Sequence, residues 1–341
     1  MIFTARKLKA ADYIGLISAI LLIGLIIYLP GVCASGAKTG LILCAKIIIP
    51  SLFPFAVPVL YLLNNSTFLA SKRSILMVFL LSLIGGYPIG AKLLGELKTK
   101  GVITGKEAGR YLPFFVNAGP AFIVIAVGKE IIGNIRLGYI LLAAHTIASV
   151  FICGIFMRKV FTNNKAAAYS KPTSDSFAES VKNASGTCIT VCAFIIFFSV
   201  INGYLTHFSK ILSRLKYLLY FTEITGAVRL TDNLYLISFL LGFAGVSIWV
   251  QVFSVAGKAR VNHIKFILIR LLHGGISSAI TYVLVKIFKI DIAAAASQKQ
   301  FVEKIFYSDL TLALSLLIMI LLFLINITAK KHSGNFLKDV L

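Results

Sequence analysis

The sequence predicts an all-α polytopic membrane protein built from two inverted repeats that contain broken or re-entrant helices. Three observations carry that expectation. Of the 341 residues, 58% are hydrophobic and 13% charged, with a mean hydropathy of +0.92, which is more apolar surface than a water-soluble domain hides. Apolar runs of the length that crosses a bilayer, about 20 residues, recur along the whole chain between short polar spacers. Several of those runs carry Gly and Pro at positions where an unbroken helix tolerates neither.

The N-terminal unit, residues 1–36, places Arg6, Lys7 and Lys9 before an apolar run at 13–29. A basic flank followed by an apolar run of this length reads as an uncleaved first helix with its N-terminus inside. Eight further apolar runs follow near 41–63, 75–97, 111–128, 137–157, 183–203, 236–256, 264–287 and 308–328. They divide into a first membrane repeat at 37–157, a basic cytoplasmic linker at 158–182, a second repeat at 183–328 and a basic tail at 329–341.

Within the first repeat, Pro50, Pro54 and Pro58 fall in one apolar run, each removing a backbone hydrogen bond, so a kink or unwinding is expected there. The next run contains Gly85, Gly86, Tyr87, Pro88, Ile89, Gly90, Ala91 and Lys92 in succession. A break at Gly85-Gly86, with Pro88 in the first turn of a new half-helix, fits those residue types. Asn117, Ala118, Gly119 and Pro120 split the following run in the same way. Irregular backbone at membrane depth survives only where protein or a water-filled cavity covers it. The breaks therefore point to a lined internal site.

Between these breaks, Thr104 and Glu107 have capping-box spacing and should start a helix. Lys98, Lys100, Lys106 and Arg110 place that spacer in the cytoplasm, along with the 158–182 linker. With both spacers inside, the segment around Gly85 and Lys92 enters and leaves on one face. A faint internal repeat sets Ile84 to Lys92 against Phe243 to Gln251, which pairs Gly86 with Gly245 and Lys92 with Gln251. The resulting inverted topology leaves Lys330, Lys331 and Lys338 outside, against the charge rule.

Four residues are candidates for contact with a substrate: Lys92, Asn117, Glu223 and Gln251. Lys92 follows the proposed half-helix start, whose free N–H groups and partial positive charge suit an anion. Snorkelling of the same Lys to the interface is the equally weighted reading. Asn117 supplies an amide beside a second half-helix start at Pro120. Glu223 is an ionisable group at or near membrane depth, and Gln251 is a polar group deep in an apolar run that needs a partner. Arg270 reads as an interfacial anchor, and His145 as a satisfied packing residue.

Composition and motifs also exclude functions. The chain carries 34 Lys and Arg against 12 Asp and Glu, a net charge of +22. The basic residues lie between apolar runs, so anionic membrane lipids are the expected partners and nucleic acid is not. Such a surplus tilts an internal cavity towards anionic solutes. None of the Gly-Lys pairs precedes Ser or Thr and no HExxH occurs, so neither ATP-driven transport by this chain alone nor zinc-protease chemistry is expected. The five Cys show no metal or disulfide spacing. We expect no enzyme activity, no cofactor and no metal, and the architecture leaves room for an oligomer.

The run from Gly85 to Lys92 resembles the sporulation integral membrane proteins of the YlbJ (SpoVV) family, related to the nucleoside-recognition gate-domain proteins. The resemblance continues through Gly101 to Thr104, Glu107, Ala108, Arg110, the stretch from Phe115 to Ile123, Val127 and Gly128. Later blocks are Glu223 to Gly226 and Gly242 to Ser247 with Gln251, so the likeness covers about 45–285. It implies a bacterial membrane transporter or channel that moves dipicolinic acid, a planar dicarboxylate, out of the mother cell across the outer forespore membrane. A non-transporting spore-envelope assembly factor and a nucleoside carrier are the alternatives.

Overall fold

The computed structural model describes residues 10–65, 74–162, 176–257 and 259–290. The predicted span at 308–328, the tail at 329–341 and the middle of the 158–182 linker lie outside the described residues. Among the described residues every regular element is helical. The α-helices are α1 (Ala10–Tyr28), α2 (Pro30–Leu43), α3 (Ile49–Asn65), α4 (Ser74–Gly85), α5 (Tyr87–Thr99), α6 (Gly105–Phe115) and α7 (Ile135–Thr162), then α8 (Ser176–Ser209), α9 (Leu219–Thr222), α10 (Ile224–Ala227), α11 (Leu234–Phe243), α12 (Gly245–Val255) and α13 (His263–Ile287). A π-helical turn, Cys44–Ile48, joins α2 to α3, and a longer π-helix, Ala121–Ile132, leads towards α7.

Among the described residues, five stretches are long and apolar enough to cross a membrane: Pro30–Leu62, Ile135–Met157, Phe177–Ser209, Leu234–Val255 and His263–Ile287. Large apolar side chains remain exposed on them, among them Ile147, Phe151 and Phe156 on α7 and Leu268 and Val283 on α13, as a lipid-facing surface requires. The protein is an integral membrane protein.

Close approach of small residues sets the direction of each crossing. Gly203 of α8 meets Val32, Gly36 meets Ser199 and Val200, Gly40 meets the Ile196 backbone, and Tyr61 packs edge-on against Phe177. As one chain advances the other retreats, so Pro30–Leu62 runs antiparallel to Phe177–Ser209. Small residues at i and i+4 let two membrane helices touch at the backbone, where dispersion rather than the hydrophobic effect holds them. The proline-rich run does not unwind. Its helix continues through Pro54 and Pro58, and the irregularity sits upstream in the π-helical turn before Pro50, where Ser51 Oγ donates to the Ile48 carbonyl at 3.3 Å.

α4 and α5 fold back on each other about Gly86. Gly90 lies against Ser82, two turns away in sequence, and Gly85 against Ile89. After the hairpin, Gly95 rests on Val255 and Ala256, and the Arg260 N–H donates to the Gly105 carbonyl at 2.8 Å. The end of α5, the start of α6 and the end of α12 therefore share one face. The start of α6 has the capping box expected at Thr104, with Glu107 and Thr104 bonded reciprocally.

The second half repeats this arrangement upside down. α13 runs antiparallel to α11 and α12 together, through the Tyr235–Tyr282 ring pair, Ser238 Oγ to Ser277 Oγ at 2.9 Å, Gly242 against Gly274, and the Trp249–Phe266 and Phe253–His263 ring pairs. α11 and α12 are thus two halves of one crossing. The short pair α9 and α10, bent at Glu223, forms the second hairpin. Its tip meets Gly245, whose Cβ position lies 3.2 Å from the Phe221 carbonyl, just as the tip at Gly86 meets Gly119 in the first half. The faint repeat in the sequence is corrected accordingly: it aligned the hairpin tip at Gly86 with Gly245, whereas in space Gly86 corresponds to Glu223 and Gly119 to Gly245.

Candidate functional site

Among the described residues, four backbone breaks meet around one cavity. Gly86 has φ of 86°, which a residue with a Cβ adopts only at a cost, and α5 starts directly after it with Pro88 in its first turn. Ala244 and Gly245, at φ of 74° and 76°, divide α11 from α12. Glu223 is extended, and its carboxylate accepts the N–H groups of Thr225 at 2.9 Å and Gly226 at 2.7 Å, so it caps α10 itself. The fourth break runs from Val116 to Pro120.

Freed carbonyls and amides at membrane depth must be satisfied within the protein, and at the ends of α11 and α6 the carbonyls find donors. At the end of α11 the four final carbonyls each have a donor. Leu240 accepts the Ala244 N–H at 2.8 Å, Leu241 the Tyr87 hydroxyl at 2.7 Å, Gly242 the Arg270 guanidinium, and Phe243 the Trp249 indole at 2.9 Å. At the end of α6, Arg270 Nη1 donates to Val116 at 2.6 Å and Pro113 at 3.3 Å, and Asn117 Nδ2 donates to Phe114 at 3.0 Å. The Phe115 carbonyl occupies the space that a side chain at Gly90 would need. His145 Nε2 accepts the Ala118 N–H at 3.0 Å, and the His273 ring lies tilted against His145 with ring centroids 4.5 Å apart.

Between the breaks lies a narrow cavity of about 50 Å³, walled by Gly85, Gly86, Tyr87, Pro88 and Gly119 from the first half and by Glu223, Thr225 and Gln251 from the second. Glu223 also lines a wider cleft of about 460 Å³ between α2 and α8, with Thr39, Asn202, His207 and Lys210 among its other residues. Glu223 is 1% exposed, and its partners are backbone amides rather than a Lys or Arg.

The sequence candidates separate accordingly. Glu223 and Gln251 share the cavity wall. Asn117 is fully buried but spent on structure, since Nδ2 donates to Ser82 Oγ at 3.2 Å and Oδ1 accepts from Ser149 Oγ at 2.7 Å. Lys92 lies on α5 outside the wall, with Nζ 3.9 Å from Glu96 and its side chain 29% exposed. Gly90 and Pro120 flank the site rather than line it. Arg270 is not an interfacial anchor: it is fully buried and ties the ends of α6 and α11 together. Its position early in an apolar run gave no hint of this, because its acceptors lie up to 157 residues away. The cleft residues Asn202, His207 and Lys210 carried no signal in the sequence either.

Helices broken in inverted pairs around an internal cavity define a class, the integral membrane proteins whose irregular backbone lines a buried site. The chain is a homologue of the sporulation integral membrane protein YlbJ of Bacillus subtilis (strain 168), with 25% identity in a match covering 70% of this chain and 74% of that protein. No family model matches the chain. No solved structure matches it either.

Proposed function

We propose that the protein moves a small organic anion across its membrane during sporulation, and that the anion is dipicolinic acid leaving the mother cell across the outer forespore membrane. The meeting of four helix breaks at one cavity, joined through Glu223 to an open cleft, carries this reading. A scaffold has no use for broken crossings, which need a donor or acceptor for every freed backbone group. Their presence in both inverted halves favours translocation by rocking one half against the other.

Anion preference is supported by the half-helix starts at Gly86 and Pro120, whose N–H groups and dipoles favour negative charge. The net charge of +22 adds a long-range attraction. Sporulation is supported by the relative's name. The cavity has room for a few waters, so a planar dicarboxylate must part the two hairpin tips. The cleft is already within the size range of small-molecule sites. Glu223 and Gln251 line the route, Asn117 shapes the break beside it, and Lys92 acts through its field. No covalent step belongs to this reading.

The test is uptake of radiolabelled dipicolinate into proteoliposomes holding the purified full chain. We expect saturable uptake, competition by other dicarboxylates but not by nucleosides, and a lower rate in Lys92→Ala at equal protein level. Uptake of nucleosides alone, or of nothing by folded protein, overturns the proposal.

A further inference from the structure

The polar residues near the end of α8 are not scattered. Ser199, Asn202, Gly203, Thr206, His207 and Lys210 follow one another at alternating steps of three and one, which puts them on a single helix face. The opposite face carries Phe197, Ile201, Leu205 and Phe208. The polar face borders the cleft of about 460 Å³, whose other wall is α2 with Ser35 and Thr39. Packing of α2 on α8 is served by Gly36 and Gly40 and needs none of these polar groups. A polar stripe on a membrane-crossing helix that faces a cavity marks a solute path.

The chemistry of the cleft changes with depth. Lys210 stands at the rim, just past the end of α8, and among the described residues no carboxylate lies within ion-pair reach of it. Deeper by about 12 Å along the helix, Asn202 accepts the Thr222 hydroxyl on Oδ1 at 2.5 Å, which leaves its Nδ2 as a donor. That donor lies beside Gly226 in the cleft wall, 3.5 Å from where a Cβ would stand. Glu223 closes the inner end, its oxygens accepting the Thr225 and Gly226 amides.

A cation at the mouth and an amide donor below it suit an elongated anion with an acceptor group at each end. We propose that the α2–α8 cleft binds a small dicarboxylate, with one carboxylate on Lys210 at the rim and the other on the Asn202 amide. Thr206 and His207 lie between the two and can add hydroxyl and ring donors. Glu223 repels the bound anion from below, so the cleft holds it loosely enough to release it towards the Lys210 face. A site on a conduction path has to bind weakly enough for its occupant to leave. The inference deepens the transport reading and rests on it for the choice of a dicarboxylate.

The experiment measures protection of a cysteine placed in the cleft. The purified full chain in detergent carries Cys33→Ala with either Thr206→Cys, in the cleft wall, or Lys289→Cys, outside it, and the remaining native cysteines are buried. The rate of maleimide labelling is followed with dipicolinate, the monoanion picolinate or neutral pyridine at equal ionic strength. We expect dipicolinate to slow labelling of Thr206→Cys saturably, picolinate to do so more weakly, pyridine not at all, and Lys289→Cys to be indifferent to all three. Adding Lys210→Gln or Asn202→Leu should raise the half-protecting concentration about fivefold. Glu223→Gln should lower it, because the like charge is gone. Should Glu223→Gln fail to fold, the other two variants decide.

Protection of neither cysteine or of both alike overturns the proposal, as does protection that is unchanged in Lys210→Gln and Asn202→Leu. A half-protecting concentration raised by Glu223→Gln also overturns it, and so does protection by an anionic phospholipid without any by dipicolinate. Failure of the transport reading is separable. Protection in a protein that moves no anion upholds the site and rejects the carrier, whereas dipicolinate uptake without protection does the reverse.

Discussion

Arg270 shows how much one side chain can hold when its partners are all backbone. It donates to the carbonyls of Pro113, Val116 and Gly242, which are the exposed ends of two half-helices from opposite halves of the molecule. An apolar substitute removes a costly buried charge, but it leaves three acceptors without donors. At roughly 1–3 kcal/mol for each buried acceptor left bare, partly offset by relief of the buried charge, Arg270→Met should destabilise the fold by about 3 kcal/mol. The measurement is the unfolding midpoint in detergent. Arg270→Lys should fall between that variant and the wild type, since an ammonium lacks the planar fork that reaches both helix ends. Equal stability of all three would show that the carbonyls find other donors. The sequence could not reveal this role. Arg270 sits near the start of an apolar run, where snorkelling is the ordinary fate of an Arg, and only the tertiary contacts remove it from the interface.

At the scale of the element, the breaks in the first half were legible because Gly and Pro cause them directly. The break at Gly86 with Pro88 just beyond it, the capping box at Thr104 and the interruption at Gly119-Pro120 all appear where residue chemistry places them. The break at Ala244-Gly245 was marked in the sequence by Gly245 alone, which takes φ of 76° beside Ala244 at 74°, a value Ala rarely adopts. A paired substitution separates strain from function. Gly86 and Gly101 have φ of 86° and 74°, and neither meets a close contact where a Cβ would go. Each change to Ala should therefore cost about 1–2 kcal/mol of backbone strain, read as similar drops in unfolding midpoint. Only Gly86→Ala, at the hairpin tip, should also lower uptake into proteoliposomes. Equal uptake in the two variants would detach the tip from transport.

At the scale of the whole molecule, hydropathy gave the class and charge an expectation for the side of the basic spacers, but the pairing of repeat units was beyond them. A match of few identities aligned a hairpin with a crossing, because both contain a small-residue break in an apolar context. Contacts resolve the ambiguity. Leu234–Val255 follows α13 along its length, from Tyr235 beside Tyr282 to Phe253 beside His263, so it crosses, whereas α4 and α5 return to one face. This predicts the sidedness of exposed positions. Glu179 and Lys210 lie at opposite ends of α8, about 46 Å apart along a helix rising 1.5 Å per residue. Lys106 and Arg260 lie on the Glu179 face and Lys289 on the Lys210 face. Of the native cysteines Cys44, Cys153, Cys188 and Cys192 are buried, so a Cys33→Ala background stays silent towards an impermeant maleimide. In that background a single Cys in place of Lys210 or Lys289 should be labelled in intact cells. In place of Glu179, Lys106 or Arg260 it should be labelled only after permeabilisation. Labelling of Arg260→Cys in intact cells would mean that α11 and α12 return to the face they left, which would break the inverted arrangement on which the central site depends.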